Sequence, residues 1–381
     1  MISELHTAEP RCPHFGHCGG CQYQMLAAEE QLRLKRETLL GLLRDAGCTP
    51  PHDIATHAGE PYGYRNRIRL RCERVEGMLR FGYNVRGTTE FLPISTCPIA
   101  TPVLWQTAET LLKMDEPTLV TWLDAVSEVE FFANDTLDKL QLTFFCPPRT
   151  RQPQGSFAKA MRAAMNAAPQ IAGAAAVALD PRTGPTGRVF DTFGADGLSY
   201  RVRDESYWVS RGGFFQVNRF LLPTLVELVC DGRSGGLAWD LFAGVGLFSR
   251  VLARSFAQVT AVEANPTAAK DLMSALRKLG KQHRAVEETT LEFLRKAVLE
   301  RERPELIVLD PPRAGAGEES CELIAKLAPR EIVYVSCDPA TLARDWRVLE
   351  TRGYRAVETH VVDLFPQTFH LETIVVFRGE S

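Results

Sequence analysis

From about Ser210 onward the chain alternates short apolar runs with helical stretches, and each run stops at a polar residue or a glycine turn. The runs are Leu237 to Phe242, Gln258 to Val262, Leu306 to Leu309 and Glu331 to Ser336, with helices expected over Pro266 to Leu279 and Pro339 to Arg352. Val357 to Val362 and Thr373 to Phe377 read as closing strands. Strands joined by helices cross over rather than fold back as tight hairpins, so the pattern specifies a largely parallel, doubly wound α/β sheet. Ligands of such sheets bind beyond the carboxyl ends of the strands. Glu263, Asp310 and Cys337 each stand at such an end.

The preceding region has a different texture. Tyr64 to Arg71 alternates strictly, placing Arg65, Arg67, Arg69 and Arg71 on one face of a strand and Ile68, Leu70 and Cys72 on the other. Further strands are expected at Val129 to Ala133, Lys139 to Phe145 and Ala174 to Leu179, with helices over Ala28 to Ala46 and around Ser156 to Ala168. The first helix carries Leu32, Leu39, Leu43 and Ala46 on one stripe and ends at Gly47. Pro147-Pro148 and Pro181 to Gly187 read as turns. The expected organisation is a smaller α+β region over residues 1–207 followed by the wound sheet over residues 208–381, a division that suits 381 residues.

Charge narrows the function. The chain has 44 basic and 47 acidic residues, a net charge of −3, which excludes a globally basic nucleic-acid coat but not a local patch. Between Tyr62 and Glu90 there are seven arginines against three acids. The longest near-apolar run, Ile171 to Leu179, is too short to cross a bilayer, and the polar start has no apolar signal core. A cytoplasmic location is expected. Cys12, Cys18 and Cys21 fall within ten residues among glycines, a spacing that reads as a loop wrapped around something. In a reducing compartment, clustered cysteines point to metal or catalysis before disulfides.

Four motifs carry chemistry. Asp240-Leu241-Phe242-Ala243-Gly244-Val245-Gly246 follows a strand and opens a helix, so a ligand can approach its backbone, and Glu263 on the next strand is placed to accept from ribose hydroxyls; a nicotinamide site and a purely structural strand–helix turn are the competing readings. Asp310-Pro311-Pro312-Arg313 removes two backbone donors and stiffens the loop beyond its strand. An aromatic after the prolines would serve methylation of an amine; Arg313 stands there instead. Cys337 ends a strand just before a helix N-terminus, a position that favours a thiolate nucleophile. Glu372 opens the last strand. A nucleophile for carbon 6 and a base for the carbon 5 proton are the two groups that methylation of uracil at carbon 5 requires.

The ordered set G-G-F-F-Q-V-N (Gly212 to Asn218), D-L-F-A-G-V-G, V-E-A-N-P, D-P-P-R, Y-V-S-C and H-L-E-T resembles the RNA 5-methyluridine methyltransferase family, from Cys12 to Phe377. The resemblance implies a class I fold that uses S-adenosyl-L-methionine (SAM) and modifies a uridine in structured RNA, 23S ribosomal RNA before transfer RNA. It implies Cys337 as nucleophile, Glu372 as proton-abstracting base, and Gln216, Phe242, Glu263 and Asp310 as residues of the SAM site. Family members often ligate a 4Fe-4S cluster with three clustered cysteines and one distant one. Cys12, Cys18, Cys21 and Cys97 match these; four thiolates also suit zinc, while Cys48, Cys72, Cys146, Cys230 and Cys321 read as core. About eleven residues precede Cys12, too few for the OB-like TRAM barrel that some relatives carry, so RNA contact is expected from the arginine strand, in a monomer. Two positions depart from the family pattern: Leu247 stands where a polar residue is common, and Asp338 stands where Asn is common, an acid that would raise the pKa of the neighbouring thiol. A non-catalytic RNA-binding protein on the same fold is the competing reading, and the presence of both Cys337 and Glu372 argues against it.

Overall fold

The strands of the carboxyl-terminal half read as near-continuous apolar runs because they are covered on both faces. The computed structural model describes residues 6–147, 156–180 and 184–379, so the turns expected at Pro147-Pro148 and Pro181 to Gly187 fall partly outside the described residues. An eight-stranded sheet has the spatial order Ala55–His57, Tyr354–Val362, Glu372–Gly379, Glu331–Ser336, Leu306–Leu309, Gly235–Leu241, Phe256–Glu263 and Arg284–Glu287. All neighbours are parallel except Glu372–Gly379, which runs antiparallel to both of its partners. The sheet grows outward from Gly235–Leu241 in one direction, then returns to its other side with Leu306–Leu309. That reversal puts a crevice at the carboxyl end of Gly235–Leu241, where the D-L-F-A-G-V-G turn lies.

Alternate residues of each strand enter opposite layers. Trp239, Leu241, Ile307, Leu309, Ile332 and Tyr334 pack with Phe293, Ile324, Trp346 and Leu349 on one face. Ala238, Val259, Val308, Val333 and Val335 pack with Leu225, Val226 and Leu252 on the other. No described helix is long and apolar enough to cross a membrane.

A second sheet of seven strands holds Phe91–Pro93, Met78–Asn84, Arg67–Val75, Glu128–Ala133, Leu140–Cys146, Ile171–Asp180 and Gly184–Gly194, in that order. Ile68, Leu70 and Cys72 face its core, as the alternation requires, beside Leu104, Trp122, Phe144 and Phe157. Two covering helices, Pro102–Lys113 and Pro117–Ala125, were not anticipated from the sequence; each has a proline in its first turn, and the first buries Leu104, Ala108 and Leu111 along one face.

The two units do not part cleanly at residue 207. The helix Ala28–Asp45 packs Leu39 and Leu43 into the core of the larger sheet, and Ala55–His57 pairs with Tyr354–Val362 as its edge strand. The hairpin Gly197–Val202 with Glu205–Ser210 likewise buries Leu198, Tyr200, Tyr207 and Val209 against that sheet's other layer. The amino-terminal helix presents an apolar stripe that its own neighbourhood cannot cover, and the helix Pro339–Thr351 supplies the missing face.

Candidate functional site

The crevice is built first from backbone. Phe242 adopts φ +62° and Gly244 φ +56°, turning the chain sharply off the strand. A Cβ on Gly244 would meet nothing within 4 Å, so the site beside it is open, whereas a Cβ on Gly246 would stand 2.8 Å from Leu272 Cδ1. Glu263 braces the turn: its carboxylate accepts from the Gly244 N–H at 2.8 Å and the Asn265 N–H at 2.6 Å. Asp240 is fully buried, accepts from the Ser249 N–H at 2.9 Å through Oδ2, and leaves Oδ1 without a protein partner. Burial, with a smaller push from Glu263, raises its pKa to about 7. Asp240, Glu263 and Asp310 thus line neighbouring strands with carboxylates, an edge that fits a cationic methyl donor. Leu247 does not reach this edge; its side chain is buried in the core and its carbonyl accepts from the Tyr207 hydroxyl at 2.9 Å.

Register brings Cys337 and Glu372 together. Ser336 pairs with Thr373 in the antiparallel ladder, so Cys337 follows directly opposite Glu372. Leu309 pairs with Tyr334 on the other side, which sets Asp310 beside the same strand end. Gln216 Nε2 donates to Asp310 Oδ2 at 3.4 Å. Burial raises the Asp310 carboxyl to about 7, with Asp240 adding to the rise. Glu372 is pushed well above the usual carboxylate range, chiefly by burial and then by Asp310.

The expectation of a low thiol pKa at the helix N-terminus is not met. Burial, then the charges of Glu372 and Asp310, push the Cys337 thiol up to about 11, and Arg313 opposes them only partly. The free N–H groups of the helix are already taken: Asp338 Oδ1 accepts from Ala340 N at 3.1 Å and Thr341 N at 3.0 Å. The acids that act on the thiol are therefore the two across the ladder, and Asp338 serves as a helix cap.

The loops around this centre are held from outside it. Beyond Asp310, Asp345 accepts from Ala316 N at 2.8 Å and from the Tyr334 hydroxyl at 2.7 Å, which fixes the proline loop. Arg313 donates to the His370 ring at 3.3 Å, and burial with that cation lowers the His370 pKa to about 4, so the ring is neutral. Asn66 Nδ2 donates to the Gln216 carbonyl at 3.2 Å and to Tyr200 Oη at 3.0 Å. Gln31 and Lys35 are also part of this support. Both are buried, and Lys35 Nζ reaches Asp363 Oδ1 at 2.6 Å and the Phe365 carbonyl at 3.0 Å. No sequence signal marked these two except their place: residues 31, 35, 39 and 43 form one stripe, polar at its start and apolar at its end.

The four matched cysteines meet elsewhere. Cys12, Cys18, Cys21 and Cys97 all line one cavity of about 320 Å³, and burial raises the thiols of Cys18, Cys21 and Cys97, the second to about 11. Among the described residues no group of three or more His, Cys, Asp or Glu side chains is gathered for a metal ion, so the cysteines ring a space rather than converge on a point. Cys48, Cys72, Cys146, Cys230 and Cys321 are buried free thiols away from it.

Arg65, Arg67 and Arg69 line the same cavity. This corrects the reading of the arginine stripe as an open phosphate-binding face. Arg67 meets Glu130 at 3.3 Å and lies over the Phe132 ring at 4.1 Å; Arg69 meets Glu128 at 2.5 Å and lies over Phe145 at 3.7 Å. Arg71 pairs with Glu73. The neighbouring strand Glu128–Ala133 carries the matching acids, about sixty residues along the chain and invisible to local pattern. The Nε atoms of Arg65, Arg67 and Arg69 remain buried without a protein partner.

The family described as "tRNA (Uracil-5-)-methyltransferase" matches residues 192–379. The chain is 32% identical over 385 residues to the 23S rRNA (uracil(1939)-C(5))-methyltransferase RlmD of Marinomonas sp. (strain MWYL1), covering 99% of this chain and 82% of that protein. It is 30% identical to the RlmD of Alkalilimnicola ehrlichii, covering 98% and 83% of the two chains. Its fold is similar to that of the Pyrococcus abyssi tRNA (uracil-54, C5)-methyltransferase in complex with S-adenosyl-L-homocysteine, with a TM-score of 0.67 at 21% identity over 95% of this chain and 86% of that one.

Proposed function

The chain belongs to the RNA uracil-C5 methyltransferase family, and from that membership we propose that it methylates carbon 5 of one uridine in 23S ribosomal RNA through a covalent bond between Cys337 and the base. It is a SAM-dependent enzyme. The choice of ribosomal RNA is supported by relatives named for that substrate that align along nearly the whole chain. The covalent route is supported by one observation above all: the antiparallel register that sets Cys337 opposite Glu372 with Asp310 alongside.

Carbon 5 of uracil is a poor nucleophile until sulfur adds at carbon 6. As the Cys337 Sγ–C6 bond forms, the thiol proton passes to a neighbouring carboxylate, Asp310 being held near 7, and the C5=C6 electron pair moves into an enolate. Carbon 5 then takes the methyl group from the SAM sulfonium, and S-adenosylhomocysteine leaves. Glu372 removes the carbon 5 proton, the C–H pair re-forms C5=C6, and the C6–S pair returns to Cys337. A buried carboxylate with a raised pKa is a stronger base than an exposed one, which suits this last step. Gln216, Phe242 and Glu263 line the SAM side of the crevice, and Asp310, which Gln216 contacts, stands at its border with the base.

Cys12, Cys18, Cys21 and Cys97 hold a 4Fe-4S cluster in this reading. Four cysteines lining one cavity, with three unpartnered guanidinium N–H groups among its other lining residues, support a multi-atom anionic group over zinc. The cluster would tie the Cys12 to Cys21 loop to the segment around Cys97. RNA contact is assigned to the α+β region outside the paired arginine stripe.

The test uses 5-fluorouridine, whose fluorine cannot be removed as a proton. RNA carrying it at the target should be trapped on wild type and not on Cys337→Ala; equal trapping by both sinks the nucleophile assignment. Labelled SAM with unmodified ribosomal and transfer RNA should label ribosomal RNA; label confined to transfer RNA moves the target.

A further inference from the structure

We propose that Gln31 and the backbone of Cys21 to Tyr23 form a positioning unit for Glu372, so that the cysteine loop sets the geometry of the final proton abstraction. The proposal rests on the reading of Glu372 as the base. It begins from the segment between the last two strands, Asp363 to Leu371, which ends directly at Glu372. Most tethers on this segment come from the first quarter of the chain, with Asn218 and Arg313 adding bonds to the Leu364 carbonyl and the His370 ring. The N–H groups of Gln22 and Tyr23 both donate to the Gln367 carbonyl, at 2.9 and 3.0 Å. Gln31 closes a reciprocal pair with the same residue: its Oε1 accepts from Gln367 N at 2.8 Å and its Nε2 donates to Gln367 Oε1 at 3.1 Å. Gln31 Nε2 also donates to the Tyr23 carbonyl at 3.1 Å and the Leu26 carbonyl at 2.9 Å. One buried amide therefore fastens the end of the cysteine loop and the catalytic turn to each other.

Gln367 needs such holding. It has φ +70°, a left-handed conformation that a glutamine seldom adopts unaided, and it lies five residues before Glu372. Tyr64 and Lys35 add bonds to the Pro366 and Phe365 carbonyls, at 3.2 and 3.0 Å, while Gln22 and Tyr23 connect the turn to the cavity-lining Cys21, one and two residues before them. Whatever fixes Cys21 fixes the two donors. Cys337, by contrast, is carried by the strand Glu331–Ser336 and the helix Pro339–Thr351; the helix packs on Ala28–Asp45 and the strand pairs with Glu372–Gly379, but among the described residues neither makes a hydrogen bond to Gln22, Tyr23, Gln31 or Gln367. Sulfur attack and proton removal thus have separate supports, and the two steps should separate experimentally.

The experiment uses the full-length, iron-loaded protein with Gln31→Met, which keeps the volume and removes every bond. Gln31→Glu, which keeps only the acceptor, is the milder variant should the first fail to fold. Thermal unfolding and S-adenosylhomocysteine affinity establish a folded SAM site. Trapping on 5-fluorouridine RNA then reads attack and methyl transfer, and release of methylated RNA from the adduct reads proton removal. We expect trapping at the wild-type rate and release slowed by roughly 10- to 100-fold, the scale for a group displaced by an ångström or less. Methylated adduct should accumulate, and oxidative removal of iron from the wild type should give the same split. Equal slowing of both steps, or of neither, overturns the proposal. Glu372→Gln is run alongside. If it fails to accumulate adduct, the base assignment falls; if it accumulates adduct and neither Gln31 variant does, only the positioning role falls.

Discussion

The strand-end site and the cysteine cavity treat charge in opposite ways. At the strand ends, Asp240, Asp310 and Glu372 are acids gathered with little compensation, and burial, with a smaller push from neighbouring carboxylates, lifts carboxyl and thiol pKa values together. Around the cavity, Arg67 and Arg69 are matched by Glu130 and Glu128 and lie on aromatic rings. Like charges left uncompensated mark a site that waits for a cation; paired charges mark a structural wall. The lesson is that density of charge in a sequence says little until the partners are known.

The comparison breaks most visibly at the cysteines. Serine at Cys21 or Cys97 should abolish iron binding, taking the content of anaerobically purified protein from about four irons per chain to almost none. Serine at Cys48 or Cys321, both buried in the core of the larger sheet, should leave iron unchanged. A colourless, zinc-loaded and fully active wild type would refute the metal identity and leave the cavity a plain zinc site.

A second measurement asks whether the arginine stripe is wall or binding face. Arg67→Ala strands Glu130 in a nearly buried place, so it should destabilise the protein by about 3 kcal/mol, the lower end for breaking a buried pair. The dependence of RNA affinity on salt should keep its slope, because the lost charge was already neutralised by protein. A fall of about one unit in the log–log slope without loss of stability would restore the phosphate-binding reading.

These contrasts explain what was legible in sequence. The wound sheet and the crevice turn were legible because a βα unit carries its own geometry: a strand end fixes where its last residue goes. Glu372, which opens an antiparallel strand, was marked only by the resemblance to the family, and its place opposite Cys337 comes from the ladder. The inward face of Ile68, Leu70 and Cys72 was legible, like the wound sheet, from local geometry. The fate of Arg67 and Arg69 was not, since Glu128 and Glu130 join them only through strand pairing across sixty residues. Gln31 and Lys35 were hidden in the same manner: polar residues on a helix read as solvated until a turn more than three hundred residues away covers them. The packing of the helix Ala28–Asp45 on the larger sheet was hidden because the helix finds its apolar partner at the far end of the chain.

Within the strand-end site, the thiol offers a finer probe. With a pKa near 11, the thiolate fraction of Cys337 at pH 7 is on the order of 10⁻⁴ and keeps rising up to pH 11. Alkylation of Cys337, followed by peptide mapping, should therefore accelerate steadily through pH 9 and 10, where an ordinary thiol would already level off. An analogue of SAM with an amine in place of the sulfonium should bring a positive charge to the acidic edge and lower that midpoint, more than neutral S-adenosylhomocysteine does. A midpoint at or below 8.5 without ligand would mean that Glu372 and Asp310 do not govern the thiol.

The smallest expected effect concerns Asp338, whose charge the sequence alone made a candidate for raising the thiol pKa. Its carboxylate is spent on Ala340 N and Thr341 N at the start of the helix Pro339–Thr351. Asparagine caps a helix about as well as aspartate, so Asp338→Asn should change stability by no more than a few tenths of a kcal/mol, whereas Asp338→Ala should cost about 1 kcal/mol. The alkylation midpoint of Cys337 should stay in place in Asp338→Asn, because the charges that burial brings to bear on the thiol belong to Glu372 and Asp310. Glu372→Gln should lower that midpoint instead. A large downward move in Asp338→Asn with none in Glu372→Gln would reverse the assignment, and would place control of the thiol in its sequence neighbour rather than across the ladder.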